Sequence, residues 1–354
     1  MKDKIITFTF LIFILTFSVL HLALKDKEVS MTERRKLATF PTLKLDNEYI
    51  SKVDKYLLDH FPFRDEFRSI KARFNLNILN LKDNNGIYLK DNYIFKSNYP
   101  TNKKSINNFK NKITYIKSLL TENNNAYMMI IPDKNYYLEN TEILTLDYDY
   151  LYNEVGDLVD NQIDVKDLLE LKDYYETDTH WKQENIEKVI KRMSDTMDFK
   201  YSERKFEKHV YDKFYGVYYG ESAINRKPEN ITYLTNDVID NAKVFYLEND
   251  KLTAVYNKEN LSSLDSYEVF LDGASAYIEI TNPLNTSGRE LVIFRDSFGS
   301  SITPLLIEYY SKITVIDNRY INSVNFLNYI EFKNQDVLFL FSTMIINESG
   351  TLKG

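Results

Sequence analysis

The chain has 354 residues, enough for one large domain or two, and a hydrophobic content of 44% supports a sizeable core. It carries 45 basic and 52 acidic side chains, a net charge of −7. No basic stripe overrides that balance, which argues against a general nucleic-acid binder. There is no cysteine, so disulfides, thiolate catalysis and cysteine-based zinc sites are excluded.

Ile5 to Leu24 is an apolar run broken only by threonines, Ser18 and His21, and it follows Lys2 and Lys4. It is long enough to span a bilayer and longer than an ordinary signal-peptide core. No small-x-small cleavage site follows, so residues 1–28 are expected to form an uncleaved signal anchor rather than a cleaved signal. Lys25, Lys27, Arg34, Arg35 and Lys36 follow the run and outnumber the lysines before it, which runs against a simple positive-inside reading. Large trailing domains often cross regardless, and the expectation is a single-pass cell-membrane protein with an extracellular main domain.

Residues 29–102 read as a helical stalk and N-terminal elaboration. Asn47 to His60 is amphipathic, with Tyr49, Ile50, Val53, Tyr56 and Leu57 on one face. A second helix is expected from Phe67 to about Leu79, with Ile70, Phe74 and Leu76 apolar. After the Asn84-Asn85-Gly86 turn, Ile87–Leu89 and Tyr93–Phe95 read as a hairpin.

The main α/β body is expected over 103–354. Ile106 to Leu120 has helical spacing, and Tyr127–Ile131 is a buried strand that stops at Pro132-Asp133-Lys134. Ligands of open α/β sheets bind beyond the carboxyl ends of strands, so Lys134 is a candidate for an anionic or polar substrate group, the alternative being a solvated loop lysine. A short strand is expected near Asn161–Val165 and a helix over Lys166–Leu171.

Asp178-Thr179-His180-Trp181 combines one of four histidines with the sole tryptophan. Imidazole can take a proton from a serine hydroxyl, and a carboxylate fixes its tautomer. Asp178 can serve His180 from the same loop, with Trp181 walling the cleft or stacking on a sugar. A polar loop capping the helix expected from Lys182 to Met197 is the alternative. A β-rich insertion is expected around 200–285. In it, Lys243–Tyr256 and Tyr267–Ile280 alternate as antiparallel strands, and the second pair turns at Asp272-Gly273. Gly273 is a candidate oxyanion donor.

Leu291–Phe294 is a continuous apolar run that breaks at Arg295-Asp296-Ser297, and the helix after it is expected to start near Ser301 because Pro304 suits a first turn. Strand, tight turn, Ser and helix is the geometry that presents a nucleophile, which makes Ser297 the candidate, although Asp296 and Ser297 could merely cap the helix. Ile313–Ile316 and Val337–Phe341 complete a strand–helix–strand series of parallel-sheet type. No glycine-rich phosphate loop and no metal-ligand spacing is present, so no cofactor and no metal are expected.

Asp178-Thr179-His180-Trp181, Asp296-Ser297-Phe298 and Glu33-Arg34-Arg35-Lys36-Leu37-Ala38 resemble the bacterial DHHW family, which is related to the SGNH-like proteins of alginate O-acetylation. Pro132-Asp133-Lys134, Asn85-Gly86-Ile87-Tyr88 and Asp317-Asn318-Arg319-Tyr320 fit the same pattern. The resemblance implies an SGNH-like three-layer α/β/α fold with a mainly parallel sheet. It places the Asp-x-His element ahead of the serine, the reverse of ordinary SGNH hydrolases. It further implies a triad in which Asp178 orients, His180 is the base and Ser297 the nucleophile. Thr179 stands where the family's name has a second His, and Arg295 stands where ordinary SGNH enzymes have Gly. Arg295 is therefore a candidate oxyanion or substrate group, the alternative being that it blocks the usual Gly-type turn.

The activity implied is an extracytoplasmic O-acetyltransferase or acetylesterase on a cell-envelope polysaccharide, with a membrane-bound O-acyltransferase as acetyl donor. A non-catalytic, membrane-anchored scaffold or glycan-binding protein with a degenerate site is the alternative. It predicts that Ser297 and His180 lie out of hydrogen-bond reach.

Overall fold

In a computed structural model the residues described are 2–44, 46–138, 143–203, 205–224, 226–248 and 251–353. The chain divides into two compact units, Met1–Asn85 with Tyr219–Lys227, and Gly86–Tyr218 with Pro228–Gly354. The division falls at 85/86, so the hairpin of Ile87–Lys90 and Tyr93–Lys96 belongs with the larger unit rather than with the stalk.

In the first unit, α1 (Lys2–Ala23) is long and apolar enough to cross a membrane, and none of its residues is buried. The helix α2 (Asn47–Asp59) starts where the Asp46 side chain accepts the N–H of Tyr49 at 2.8 Å. The next, α3 (Arg64–Arg73), runs on through one wider turn at Phe74–Ile78. The Glu33-Arg34-Arg35 stretch clamps the two helices. Glu33 pairs with Arg64 at 2.6 Å and Arg35 pairs with Asp59 at 2.6 Å.

The second unit is organised on an eight-stranded sheet. Its strands are β1 (Asn125–Ile131), β2 (Asn161–Gln162), β3 (Lys243–Tyr246), β4 (Lys251–Thr253), β5 (Tyr277–Thr281), β6 (Glu290–Arg295), β7 (Lys312–Ile316) and β8 (Asp336–Ser342). The order across the sheet is β4-β3-β5-β7-β6-β8-β1-β2. From β7 to β2 every pairing is parallel, and β5, β3 and β4 extend the sheet antiparallel.

Strand side chains alternate between faces, and the two faces are both buried. Met129, Ile131, Leu291, Ile293, Leu338 and Leu340 face α6 (Glu187–Met197) and α7 (Phe298–Leu306). Met128, Ile130, Val292, Phe294, Phe339 and Phe341 face α4 (Lys103–Lys117) and α5 (Tyr148–Val155). Burial on both faces is why these strands read as unbroken apolar runs. The layers are helix, sheet, helix, as the resemblance implies.

Several local expectations change. Residues 166–168 form a turn rather than a helix, and the helix after His180 is delayed to Glu187 behind a 3-10 turn at Gln183–Asn185. The stretch 266–269 is a 3-10 turn capped by Asp265, so only Tyr277–Thr281 of the expected second hairpin is a sheet strand. The helix after Ser297 begins at Phe298 and carries Pro304 inside it. The start is set by Asp296, whose side chain accepts the N–H of Phe298 at 3.0 Å. The expected insertion is split. Glu207–Phe214 and Glu229–Thr235 form a separate antiparallel ribbon, while 243–246, 251–253 and 277–281 join the main sheet.

Candidate active site

The parallel strands β1, β6, β7 and β8 end on one edge of the sheet, and their C-terminal residues are polar. Asp133 follows β1, Asp296 and Ser297 follow β6, Asp317 follows β7, and Ser342 ends β8. The turn after β6 is held by Asp296, a fully buried carboxylate that accepts the N–H of Phe298 on one oxygen and the N–H of Ser342 at 2.7 Å on the other. Ser297 is thereby fixed between strand and helix, partly exposed, at the start of α7. Its own N–H makes no hydrogen bond among the described residues.

His180 Nε2 lies 2.8 Å from Ser297 Oγ, and His180 Nδ1 lies 2.6 Å from Asp178 Oδ1. A carboxylate can only accept, so Nδ1 carries the proton and Nε2 offers its lone pair to the serine hydroxyl. Asp178 is buried and receives two further donors: the His180 N–H at 3.1 Å on Oδ1 and the Val217 N–H at 2.8 Å on Oδ2. Two aromatic rings pack against the imidazole. Tyr267 stacks on it with centroids 3.8 Å apart and planes 7° apart, and Phe298 lies tilted at 5.0 Å. Burial pushes the Tyr267 phenol up, so it stays a neutral donor, reaching Ser301 Oγ at 2.9 Å.

The loop that carries Asp178 and His180 has little regular structure of its own and is held from outside. Lys134 Nζ donates to the carbonyls of Tyr175 (3.0 Å), Glu176 (3.2 Å) and Asp178 (2.8 Å). The faces of Tyr93, Phe95 and Tyr218 lie around the same ammonium at 5.1 to 5.7 Å. Glu229 accepts the N–H groups of Glu176 (2.8 Å) and Thr177 (2.7 Å) together with the Thr177 hydroxyl. Burial pushes the Glu229 carboxyl up, and the hydrogen bonds from Thr177 oppose that shift. On a third side Gly216 presses against the loop. A Cβ there would lie 2.2 Å from the Thr177 carbonyl oxygen and 2.4 Å from Asp178 Cβ, so only glycine permits the approach that delivers the Val217 N–H.

The structure brings Asp178, His180 and Ser297 together and gives the other candidates different places. Lys134 is 2% exposed and its ammonium is engaged with three carbonyls, so it holds the loop instead of reaching a substrate. Burial pushes this lysine down to about 7, with the Asp178 carboxylate the main opposing influence. Trp181 is fully buried, its indole N–H on Ser301 Oγ at 2.8 Å, and it presents no face to a sugar. Arg295 is also fully buried, 3.6 Å from Asp317 and turned towards the carbonyls of Asp296 and Gly273, with its stem packed against Gly299 of α7. The N–H of Gly273 goes to the Phe270 carbonyl at 3.3 Å, so it is not aimed at an oxyanion. Four groups that shape the site are not among the candidate site residues read from the sequence: Tyr267, Glu229, Gly216 and the main chain of Val217. The nearest sequence signal is the aromatic stretch 214–220, which carries two glycines, Gly216 and Gly220.

The fold is a mixed α/β sandwich on a large, mainly parallel sheet, of the SGNH-like kind. Residues 150–316 match the model of the DHHW protein family. A DHHW family protein from Eubacterium siraeum is similar in structure, with a TM-score of 0.63 at 21% identity, covering 77% of this chain and 97% of that one. Bacillus cereus PatB1, in a structure with a sulfonyl adduct, gives 0.59 at 16% identity, covering 73% of this chain and 95% of that one. The O-acetyltransferase domain of Pseudomonas putida AlgJ gives 0.44 at 12% identity, covering 74% and 92%. No curated protein matches the sequence.

Proposed function

We propose that this protein is a serine-dependent acyl-transfer enzyme, an O-acetyltransferase or acetylesterase acting on a cell-envelope polysaccharide outside the membrane. The observation that carries the reading is the continuous hydrogen-bonded line from Asp178 Oδ1 through His180 to Ser297 Oγ, at 2.6 Å and 2.8 Å. The scaffold alternative required these groups to lie apart, and the distances favour the catalytic reading.

His180 Nε2 takes the proton of Ser297 Oγ as that oxygen bonds the acyl carbonyl carbon. Charge develops on the carbonyl oxygen, and the Ser297 N–H at the start of α7 is the candidate donor to it. Asp178 holds the tautomer and stabilises the imidazolium. The imidazolium returns its proton to the departing alkoxide, leaving acyl-Ser297. A sugar hydroxyl or water then attacks, with His180 again as base, and Ser297 is released with its proton. Tyr267, stacked on the imidazole, fixes the ring plane through both half-reactions.

In this reading α1 is the membrane anchor, the main domain is extracellular, and the acetyl donor is a membrane-bound O-acyltransferase. The test is the full chain in detergent micelles, given a chromogenic acetyl ester and, separately, an acetylated oligosaccharide. Turnover that disappears in Ser297→Ala and His180→Ala is the expected result. Equal turnover in wild type and Ser297→Ala would overturn the assignment.

A further inference from the structure

The exposed apolar surface of the first unit extends beyond α1. Helix α3 and the turn that follows it are built inside out. Ser69 is 8% and Ala72 0% exposed, whereas Phe67, Ile70, Phe74 and Ile78 are 41%, 61%, 49% and 66% exposed. Together with the exposed Phe63, their spacing places these residues in one stripe along the helix. A soluble helix points such a stripe at its core. Here the inward side carries the small residues and the arginines Arg64 and Arg68, both paired with Glu33, at 2.6 Å and 3.3 Å. Those ion pairs fix the orientation, so the apolar stripe cannot roll inward without breaking them. Helix α2 adds Ile50, Leu57 and Leu58, all outward. An apolar surface of this extent marks an interaction site.

Its continuity with α1 identifies what covers it. Phe17 of α1 stacks on Phe61 at 5.3 Å and meets Phe67 at 5.8 Å, and Phe61 meets Phe67 at 5.9 Å. His21 Nδ1 meets the His60 carbonyl at 3.2 Å. Phe17 lies six residues before the end of α1, about 9 Å back along its axis at 1.5 Å per residue. The connection between α2 and α3 therefore reaches below the end of the spanning segment. That depth matches the ~5–10 Å to which an interfacial helix buries its apolar face.

We propose that α2 and α3 form an interfacial element that lies in the outer surface of the lipid bilayer beside α1, with the stripe Phe63, Phe67, Ile70, Phe74 and Ile78 in contact with acyl chains. The inference rests on α1 being a retained anchor. It adds a second membrane contact, one that limits how far the tethered unit swings from the lipid surface.

The absence of native cysteine makes the test direct. Full chains carrying one of Ile12→Cys, Lys52→Cys, Ile70→Cys or Ile78→Cys are spin-labelled and reconstituted in phosphatidylcholine–phosphatidylglycerol vesicles. Relaxation by oxygen, which partitions into lipid, is compared with relaxation by a water-soluble nickel chelate. The expected result is an oxygen-to-nickel ratio several-fold higher at Ile12, Ile70 and Ile78 than at Lys52, which is exposed on the opposite side of α2. A label in lipid at Ile12 but in water at both Ile70 and Ile78 overturns this inference and leaves the anchor reading standing. A label in water at Ile12 overturns both. Shielding of Ile70 and Ile78 from both reagents assigns the stripe to a second copy of the chain, and also overturns it. Two stripe positions keep the test valid if one variant fails to fold.

Discussion

Lys134 Nζ donates to the main-chain carbonyl of Asp178 at 2.8 Å, so a buried lysine just beyond β1 holds the residue whose carboxylate bonds the His180 imidazole. The two neighbouring carbonyls, of Tyr175 and Glu176, share the same ammonium. Lys134→Met keeps the aliphatic stem and removes all the donors. Each buried acceptor left without a partner costs about 1–3 kcal/mol. The expected outcome is a large fall in kcat with a small change in KM, read from initial rates on an acetyl ester.

The same lysine gives a pH dependence of stability. Burial pushes Lys134 down to about 7 in the folded protein, below the value of about 10.4 for an unfolded chain. Above about pH 7 the unfolded chain binds the extra proton, so stability rises with pH from 7 towards 9, by at most about 1.4 kcal/mol per unit. Below about 7 both states are protonated and this contribution to the slope vanishes. Denaturant titrations at pH 6, 7, 8 and 9 check it, and Lys134→Met should lose the increment.

Gly216 marks a backbone contact that a methyl group cannot share. Its hypothetical Cβ meets main-chain atoms of Thr177 rather than the end of a flexible side chain, so relief requires the two segments to part. Parting removes the Val217 N–H from Asp178 Oδ2. Gly216→Ala is expected to cost about 10²-fold or more in kcat, the penalty of misplacing a catalytic group by about 1 Å. A circular dichroism spectrum like that of wild type would locate the damage in the loop.

Asp178→Asn separates tautomer control from shape. The amide fits the space but can donate to Nδ1, which moves the imidazole proton to Nε2 and removes the base facing Ser297. A kcat loss of about 10⁴-fold is expected. A loss below tenfold would mean that Asp178 is not the orienting group.

Tyr267 distinguishes packing from hydrogen bonding at the imidazole. Tyr267→Phe keeps the ring at 3.8 Å and loses the bond to Ser301, an expected cost of about 1 kcal/mol in stability and under tenfold in rate. Tyr267→Ala also removes the stacked ring, and its stability cost should reach about 3–5 kcal/mol. Paired thermal melts and rates check both.

The parts legible in the sequence are those whose chemistry or pattern is local. Tyr127–Ile131, Leu291–Phe294, Ile313–Ile316 and Val337–Phe341 read as strands because a sheet covered on both faces needs apolar residues at every position. Asp178, His180 and Ser297 stood out because their side-chain types suit one reaction. What holds them did not. The Val217 donor is a main-chain N–H, which every residue except proline possesses. Lys134 read as a substrate group because its burial depends on Tyr93, Phe95 and Tyr218, which are distant in sequence. Pro304 misplaced the start of α7 because the local preference of proline was weighed without the Asp296 side chain that caps Phe298.

The central claim is that Ser297 is a nucleophile activated by His180. Its most direct measurement is intact-protein and peptide mass spectrometry of the full chain in micelles after treatment with a fluorophosphonate or sulfonyl fluoride probe, for wild type, Ser297→Ala and His180→Ala. A single adduct on the Ser297 peptide of wild type is predicted, absent from Ser297→Ala and strongly slowed in His180→Ala. No adduct on folded wild type, or an equal adduct in Ser297→Ala, would contradict the account.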